Sequence, residues 1–147
     1  MKQLVVIAVA ALAVTAAAQA AAPRSAAHVV VGSSQYGKVL FTGSHQALYA
    51  FEKDKGGKSS CYGACAKAWP PLLTTGKPVA GTGTDEMLLG TVKRSDGTEQ
   101  VTYKGHPLYT YSGDSTGHVA CQHAIANGGL WLVLEPNGHL NMSQPKK

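Results

Sequence analysis

The stretch Leu48-Tyr49-Ala50-Phe51-Glu52-Lys53-Asp54 returns sixty residues later as Leu108-Tyr109-Thr110-Tyr111-Ser112-Gly113-Asp114. Leu, Tyr, an aromatic and Asp keep their offsets. The same shift lays Thr42 on Thr102, Gly57 on Gly117, Cys61 on Cys121, Ala64 on Ala124, Ala66 on Ala126 and Leu72 on Leu132. Without gaps, residues 41–73 and 101–133 share nine identities in 33 positions, against about two expected from average composition. The chain therefore carries an internal duplication, and its fold is expected to be two copies of one small unit.

Within the repeated stretch, extended backbone sends Leu48 and Ala50 one way and Tyr49 and Phe51 the other. Tyr109 and Tyr111 keep the aromatic side in the second copy, so that face is expected to be buried. The ordinary role of such tyrosines is packing, with the hydroxyl reaching a partner. Asp54 and Asp114 follow three residues after the second aromatic, where Asp can bond its own backbone and set a turn. Reading them as paired catalytic carboxylates is the weaker alternative, because they occupy equivalent turns and Glu52 has no counterpart in the second copy.

Around this repeat, the bulk properties point outside the cytoplasm. The chain has 147 residues, enough for one domain. Residues 1–22 read as a signal peptide: Lys2, the apolar run Leu4 to Val14, then small residues that offer cleavage near Ala20 or Ala22. The run is short for a membrane span and Gln19 interrupts it. No cysteine follows it, so no lipid anchor is expected at the cleavage point. A periplasmic or secreted protein results, with no transmembrane segment after cleavage. The net charge of +5 falls to about +4 without Lys2. The remaining basic residues, among them Lys53, Lys55, Lys58, Lys67, Lys77, Lys93, Arg94 and Lys104, are scattered. They read as solvated surface with mild attraction to anionic envelope material, and nucleic acid is not an expected partner.

Residues 23–37 form a lead-in, within which His28-Val29-Val30-Val31 starts a strand. The domain proper is expected at 38–142, with repeat one at about 38–73, repeat two at about 91–134 and a tail at 143–147. In repeat one, Lys38 to Thr42 and Ala47 to Phe51 read as a hairpin. Ser59 to Trp69 reads as a short helix with a Ser cap, stopped by Pro70-Pro71. Residues 73–86, polar and rich in Gly, Thr and Pro, read as a mobile connection. Thr91 to Tyr111 reads as a three-stranded meander with a turn at Ser95-Asp96-Gly97-Thr98. A second short helix is expected over Cys121 to Ala126, capped by Asn127-Gly128-Gly129, and an apolar strand over Leu130 to Leu134. The fold class is mainly β: two pseudo-repeated units of hairpin plus short helix in one small domain.

Longer motifs support that architecture. Leu48-Tyr49-x-Phe51-x-x-Asp54 continues as Gly57-Lys58-Ser59-x-Cys61-x-Gly63-x-Cys65-Ala66-x-x-Trp69-Pro70-Pro71-Leu72. The second half adds Leu89-Gly90-Thr91, Arg94-x-Asp96-Gly97, Gln100-Val101-Thr102-Tyr103-x-Gly105-x-Pro107-Leu108-Tyr109, Gly113-Asp114 and Gly128-Gly129-x-Trp131. Over residues 38–138 the chain resembles a bacterial family of secreted repeat proteins and lipoproteins, marked by a Tyr, any, aromatic, any, any, Asp motif. Its motif residues map here onto Tyr49, Phe51, Asp54, Trp69, Tyr109, Tyr111, Asp114 and Trp131. The resemblance implies an envelope or extracellular module, sometimes lipid-anchored and sometimes beside electron-transfer domains, but no particular reaction. This chain departs from the pattern twice. It lacks the anchor cysteine, and it has Gly117-His118-Val119-Ala120-Cys121-Gln122-His123 where the family is Gly- and Gln-rich.

Three cysteines in an exported chain suggest one disulfide and one leftover thiol. Side chains four apart on a helix sit about 6 Å apart, while a disulfide wants roughly 3.8 Å between Cβ atoms. A Cys61–Cys65 bridge therefore needs a loosened helix, which Gly63 permits. A redox-active pair, two thiolate ligands, or a link from Cys121 to either cysteine are the alternatives; the resemblance implies the local pair. His118-x-x-Cys121-x-His123 offers one thiol and two imidazoles, a set suited to copper or zinc, with His106, His45 or Met142 as a fourth ligand. The ordinary reading is two surface histidines around a small cysteine. No Gly-x-Ser-x-Gly elbow, P-loop, His-Glu-x-x-His or Cys-x-x-Cys-His haem site is present. The first functional expectation is thus an exported, non-enzymatic binding or structural module without a cofactor. The second is a periplasmic metal-binding or redox protein using His118, Cys121 and His123. Envelope components or a redox partner are the corresponding partners.

Overall fold

The computed structural model describes residues 25–145; the expected signal peptide at 1–22 lies outside them. The described chain is mainly β. Strand β1 (His28–Ser34) pairs antiparallel with β2 (Gly37–Thr42) across the turn at Gln35-Tyr36. The lead-in valines thus do begin a strand, and Val29 is fully buried. Thr42 then closes a tight turn, taking the Gln46 amide on its Oγ1 at 3.1 Å. The expected hairpin is reduced to a Phe41–Ala47 bridge and backbone bonds from Thr42 N to Gln46 O and from Leu48 N to Leu40 O.

Beyond that point β3 (Tyr49–Phe51) leaves β2 and joins the other repeat. It pairs with β9 (Gly129–Val133), with Tyr49 opposite Val133 and Phe51 opposite Trp131. On its other side Tyr49 bridges Tyr109, and Tyr109 in turn bridges Pro71. Leu72 N bonds Leu108 O and Thr110 N bonds Pro70 O. Each repeat's closing segment, 70–72 or 131–133, therefore lies against the other repeat's motif strand. The two copies interlock rather than stand side by side.

Helix α1 is confined to Ala64–Ala68 and starts at Gly63 (φ 56°) with no side-chain cap. The expected Ser cap fails because both hydroxyls are engaged elsewhere: Ser60 on Asp54, and Ser59 between Arg94 and Tyr109. Residues 73–86 are better anchored than their composition suggests. Within them β4 (Val79–Ala80) runs parallel to β1, and Thr84 Oγ1 donates to Val29 O.

The second repeat begins with a three-stranded meander, β5 (Leu89–Lys93), β6 (Glu99–Tyr103) and β7 (His106–Pro107). Its third strand is two residues long and stops short of the expected Leu108 to Tyr111, because Tyr109 pairs with Tyr49 instead. The expected second helix is instead β8 (Ala124–Ala126), paired with β9. Asn127 and Gly128 both take positive φ, 54° and 79°, the geometry of a two-residue hairpin turn. Asn-Gly here turns a strand back on itself; it does not cap a helix.

Alternation along β3 sorts side chains into two cores. Tyr49 and Phe51 join Phe41, Trp69, Tyr109, Val119, Trp131 and Val133 in one. Leu48 and Ala50 join Val29, Leu40, Val101, Tyr103, Leu108 and Leu134 in the other. The aromatic face is buried as expected, and the opposite face is buried too. Trp131 stacks between Phe51 (4.1 Å) and Trp69 (4.0 Å). Tyr49 meets Trp69 edge-on and Tyr109 meets Trp131 edge-on, each at 5.2 Å. Such pairs contribute about 0.5–1.5 kcal/mol each beyond area burial.

Candidate functional site

The repeated Tyr and Asp meet across the two copies. Tyr49 and Tyr109 exchange both backbone bonds, at 2.8 and 2.9 Å. Tyr49 Oη donates to Asp114 Oδ2, and Tyr109 Oη to Asp54 Oδ2, both at 2.7 Å. Each aspartate's other oxygen holds its own loop. Asp54 Oδ1 accepts from Ser60 N at 2.8 Å, and Asp114 Oδ1 accepts from Ala120 N at 2.9 Å. The motif spacing thus follows from geometry: the tyrosine links to the other copy, and the aspartate ties its own loop while receiving the link. Burial, reinforced by Asp114, pushes the Tyr49 hydroxyl far above its ordinary value. Burial pushes Tyr109 up to about 12, and burial also raises Asp114 against the pull of Tyr49.

The surroundings of the two pairs differ. Beside Asp54, a chain of hydrogen bonds runs from a buried arginine. Arg94, 4% exposed, donates from Nη1 to Ser59 Oγ and to Gln100 Oε1, and from Nη2 to Cys61 O at 2.7 Å. Because the single Tyr109 hydroxyl proton goes to Asp54 Oδ2, Ser59 Oγ is the donor to Tyr109 Oη, at 2.6 Å. The guanidinium lies 4.2 Å from the Tyr62 ring centroid, a cation–π contact. Arg94 is thus not the solvated surface residue expected from its scatter. The signal was available, since Arg94 and Gln100 both fall in the longer motifs, but composition alone did not reveal it.

Beside Asp114 lies Cys121. The sixty-residue shift makes it the counterpart of Cys61, while the position of Cys65 is taken by Ile125, 84% exposed. Cys61 and Cys65 form the disulfide, with Cα atoms 5.3 Å apart. Cys121 is left as a partly buried free thiol, the unpaired copy of a half-cystine. Its amide donates to Tyr49 Oη at 3.4 Å. Burial pushes the thiol up, opposed by the nearby Tyr111 hydroxyl.

No group of three or more His, Cys, Asp or Glu side chains that could hold a metal ion occurs among the described residues. His118, Cys121 and His123 are therefore not brought together as a ligand set. His118 is exposed and close enough to Asp114 for its charge to be felt there. His123 sits at φ 58° and meets the Gln144 amide at 3.1 Å. Asp54 and Asp114 each accept from the tyrosine of the other copy.

A family model described as a secreted repeat of unknown function matches residues 30–73 and 90–134, more than half of the chain, as two copies. Neither a search of curated proteins nor one of solved structures returned a match.

Proposed function

The chain belongs to this family of secreted repeats, and on that premise we propose that it is an exported, non-enzymatic module whose duplicated core serves as a rigid scaffold for binding at the cell envelope or outside the cell. The observation that supports this best is the fate of the motif's polar groups. Tyr49, Tyr109, Asp54 and Asp114 are consumed in reciprocal links between the copies. A general acid or base must reach a substrate proton, and these groups are already committed to each other. Export is supported by the apolar run after Lys2, with release near Ala20 or Ala22. Among the described residues no helix is long and apolar enough to cross a membrane.

The test is sedimentation of the mature domain with isolated bacterial envelopes. Saturable co-sedimentation is expected. Protein that stays in the supernatant at every concentration and ionic strength would contradict the reading.

A second reading, a periplasmic metal or redox protein, draws on one observation: Cys121 is a free thiol and only partly buried. The metal titration described below tests it.

A further inference from the structure

A cleft of about 640 Å³ opens beside the buried arginine, lined by Lys58, Ser59, Tyr62, Lys93, Arg94 and Ser95 among others. Three of these carry positive charge, and no acidic side chain lines the cleft among the described residues. The hydrogen bonds of Arg94 do not neutralise its charge. Its η nitrogens bond only neutral oxygens, of Ser59, Gln100 and Cys61. Its Nε is buried without a hydrogen-bond partner. The closest carboxylate, Asp96 Oδ2, stands 3.9 Å from that Nε, and the other Asp96 oxygen is taken by Thr98 N and Oγ1. A buried cation that hydrogen-bonds only neutral acceptors, with one half-exposed carboxylate 3.9 Å away, still projects part of its field into the space it borders, where low-dielectric walls screen it poorly. Lys58 and Lys93, both exposed at the same cleft, add mobile charges.

We propose that this cleft binds a phosphate-type anion, free or as a monoester on a larger envelope ligand. A phosphate monoester carries about −1.5 to −2 at neutral pH, which suits three cations better than a single carboxylate does. Lysines commonly bind phosphate as point charges. This deepens the binding role proposed above by naming a ligand chemistry, and it rests on that reading for its biological setting only.

The test is an amide chemical-shift titration of the mature domain with inorganic phosphate and, separately, with glucose 1-phosphate. Saturable shifts are expected at Lys58, Ser59, Tyr62, Lys93 and Ser95, weakening as sodium chloride is raised. The double variant Lys58→Ala/Lys93→Ala should bind roughly tenfold or more weakly, while Lys38→Ala/Lys67→Ala, outside the cleft, should bind as before. Tighter binding of the ester would identify a monoester ligand; equal binding would identify the free anion. Shifts scattered over all lysines, or unchanged in the Lys58→Ala/Lys93→Ala variant, would overturn the site. That outcome leaves envelope sedimentation untouched, whereas local shifts without sedimentation would remove only the envelope reading.

Discussion

Tyr49 and Asp114, 65 positions apart, share a 2.7 Å hydrogen bond that has a twin between Tyr109 and Asp54. Each bond joins one copy of the duplicated unit to the other. The polar part of the motif is therefore a pair of rivets through the middle of the domain, and the stacked tryptophans fill the space around them.

Removing a rivet should be costly. Tyr49→Phe leaves an oxygen of the half-buried Asp114 without its donor, and a stranded polar group costs about 1–3 kcal/mol. Urea unfolding is expected to show a loss in that range for Tyr49→Phe and again for Tyr109→Phe. A double-mutant cycle between Tyr49→Phe and Asp114→Ala should give a coupling of about 0.5–3 kcal/mol. Additive losses would show that the bond contributes nothing specific.

Alkaline pH offers a second route to the same groups. Burial raises both hydroxyls above the ordinary tyrosine value of 10.0, Tyr109 to about 12. A group raised in the folded state contributes stability that is complete below its unfolded value and lost as pH climbs toward the folded one. The domain is expected to keep full stability from these two tyrosines below pH 10.0 and to lose it between there and about 12 for Tyr109. Tyrosinate absorbance should rise in two stages, the second coinciding with loss of near-ultraviolet dichroism. A single smooth titration of all six tyrosines in a folded protein would contradict the burial argument.

The disulfide should act locally. Closing a five-residue ring contributes roughly 2 kcal/mol in the chain-entropy model. Cys61→Ala/Cys65→Ala is therefore expected to fold, with stability lower by about that amount. Thiol counting in denaturant should find one reactive group, Cys121. In the native protein its reaction should be slow, because burial raises the thiol and the thiolate is the nucleophile. Three reactive thiols in protein purified under oxidising conditions would contradict the pairing.

Metal binding makes a further test. On the first reading, a module without a cofactor, titration of the reduced mature domain with zinc or copper(I) is expected to show no stoichiometric tight binding. One equivalent of metal, lost in Cys121→Ser, would favour the metal reading instead.

Much of this was legible in the chain. The sixty-residue repeat exposed the duplication, and the period-two alternation at Leu48 to Phe51 placed the aromatics inside. The local cysteine pair also formed as the resemblance implied. What stayed hidden was pairing between distant segments. Nothing local in Tyr49 says that its hydroxyl ends on Asp114, since tertiary contacts choose partners that spacing does not encode. Ser59 and Ser60 carry good helix-capping side chains, but Tyr109, Arg94 and Asp54 compete for them and win. Asn127-Gly128 could end a helix or turn a hairpin. The choice went to the hairpin because Ala124–Ala126 can complete a ladder on β9. The burial of Arg94 is not legible from composition, because a lone arginine among scattered basic residues normally lies in solvent.

The interlock itself is tested most directly by splitting the chain between Thr84 and Asp85 and preparing residues 25–84 and 85–145 separately. Each half lacks the strands that cover its motif, so each alone is expected to be unfolded, with no near-ultraviolet signal from packed tryptophans. Mixing should restore that signal with one-to-one stoichiometry. A half that folds by itself, with native-like amide dispersion and no response to its partner, would contradict the interlocked duplication.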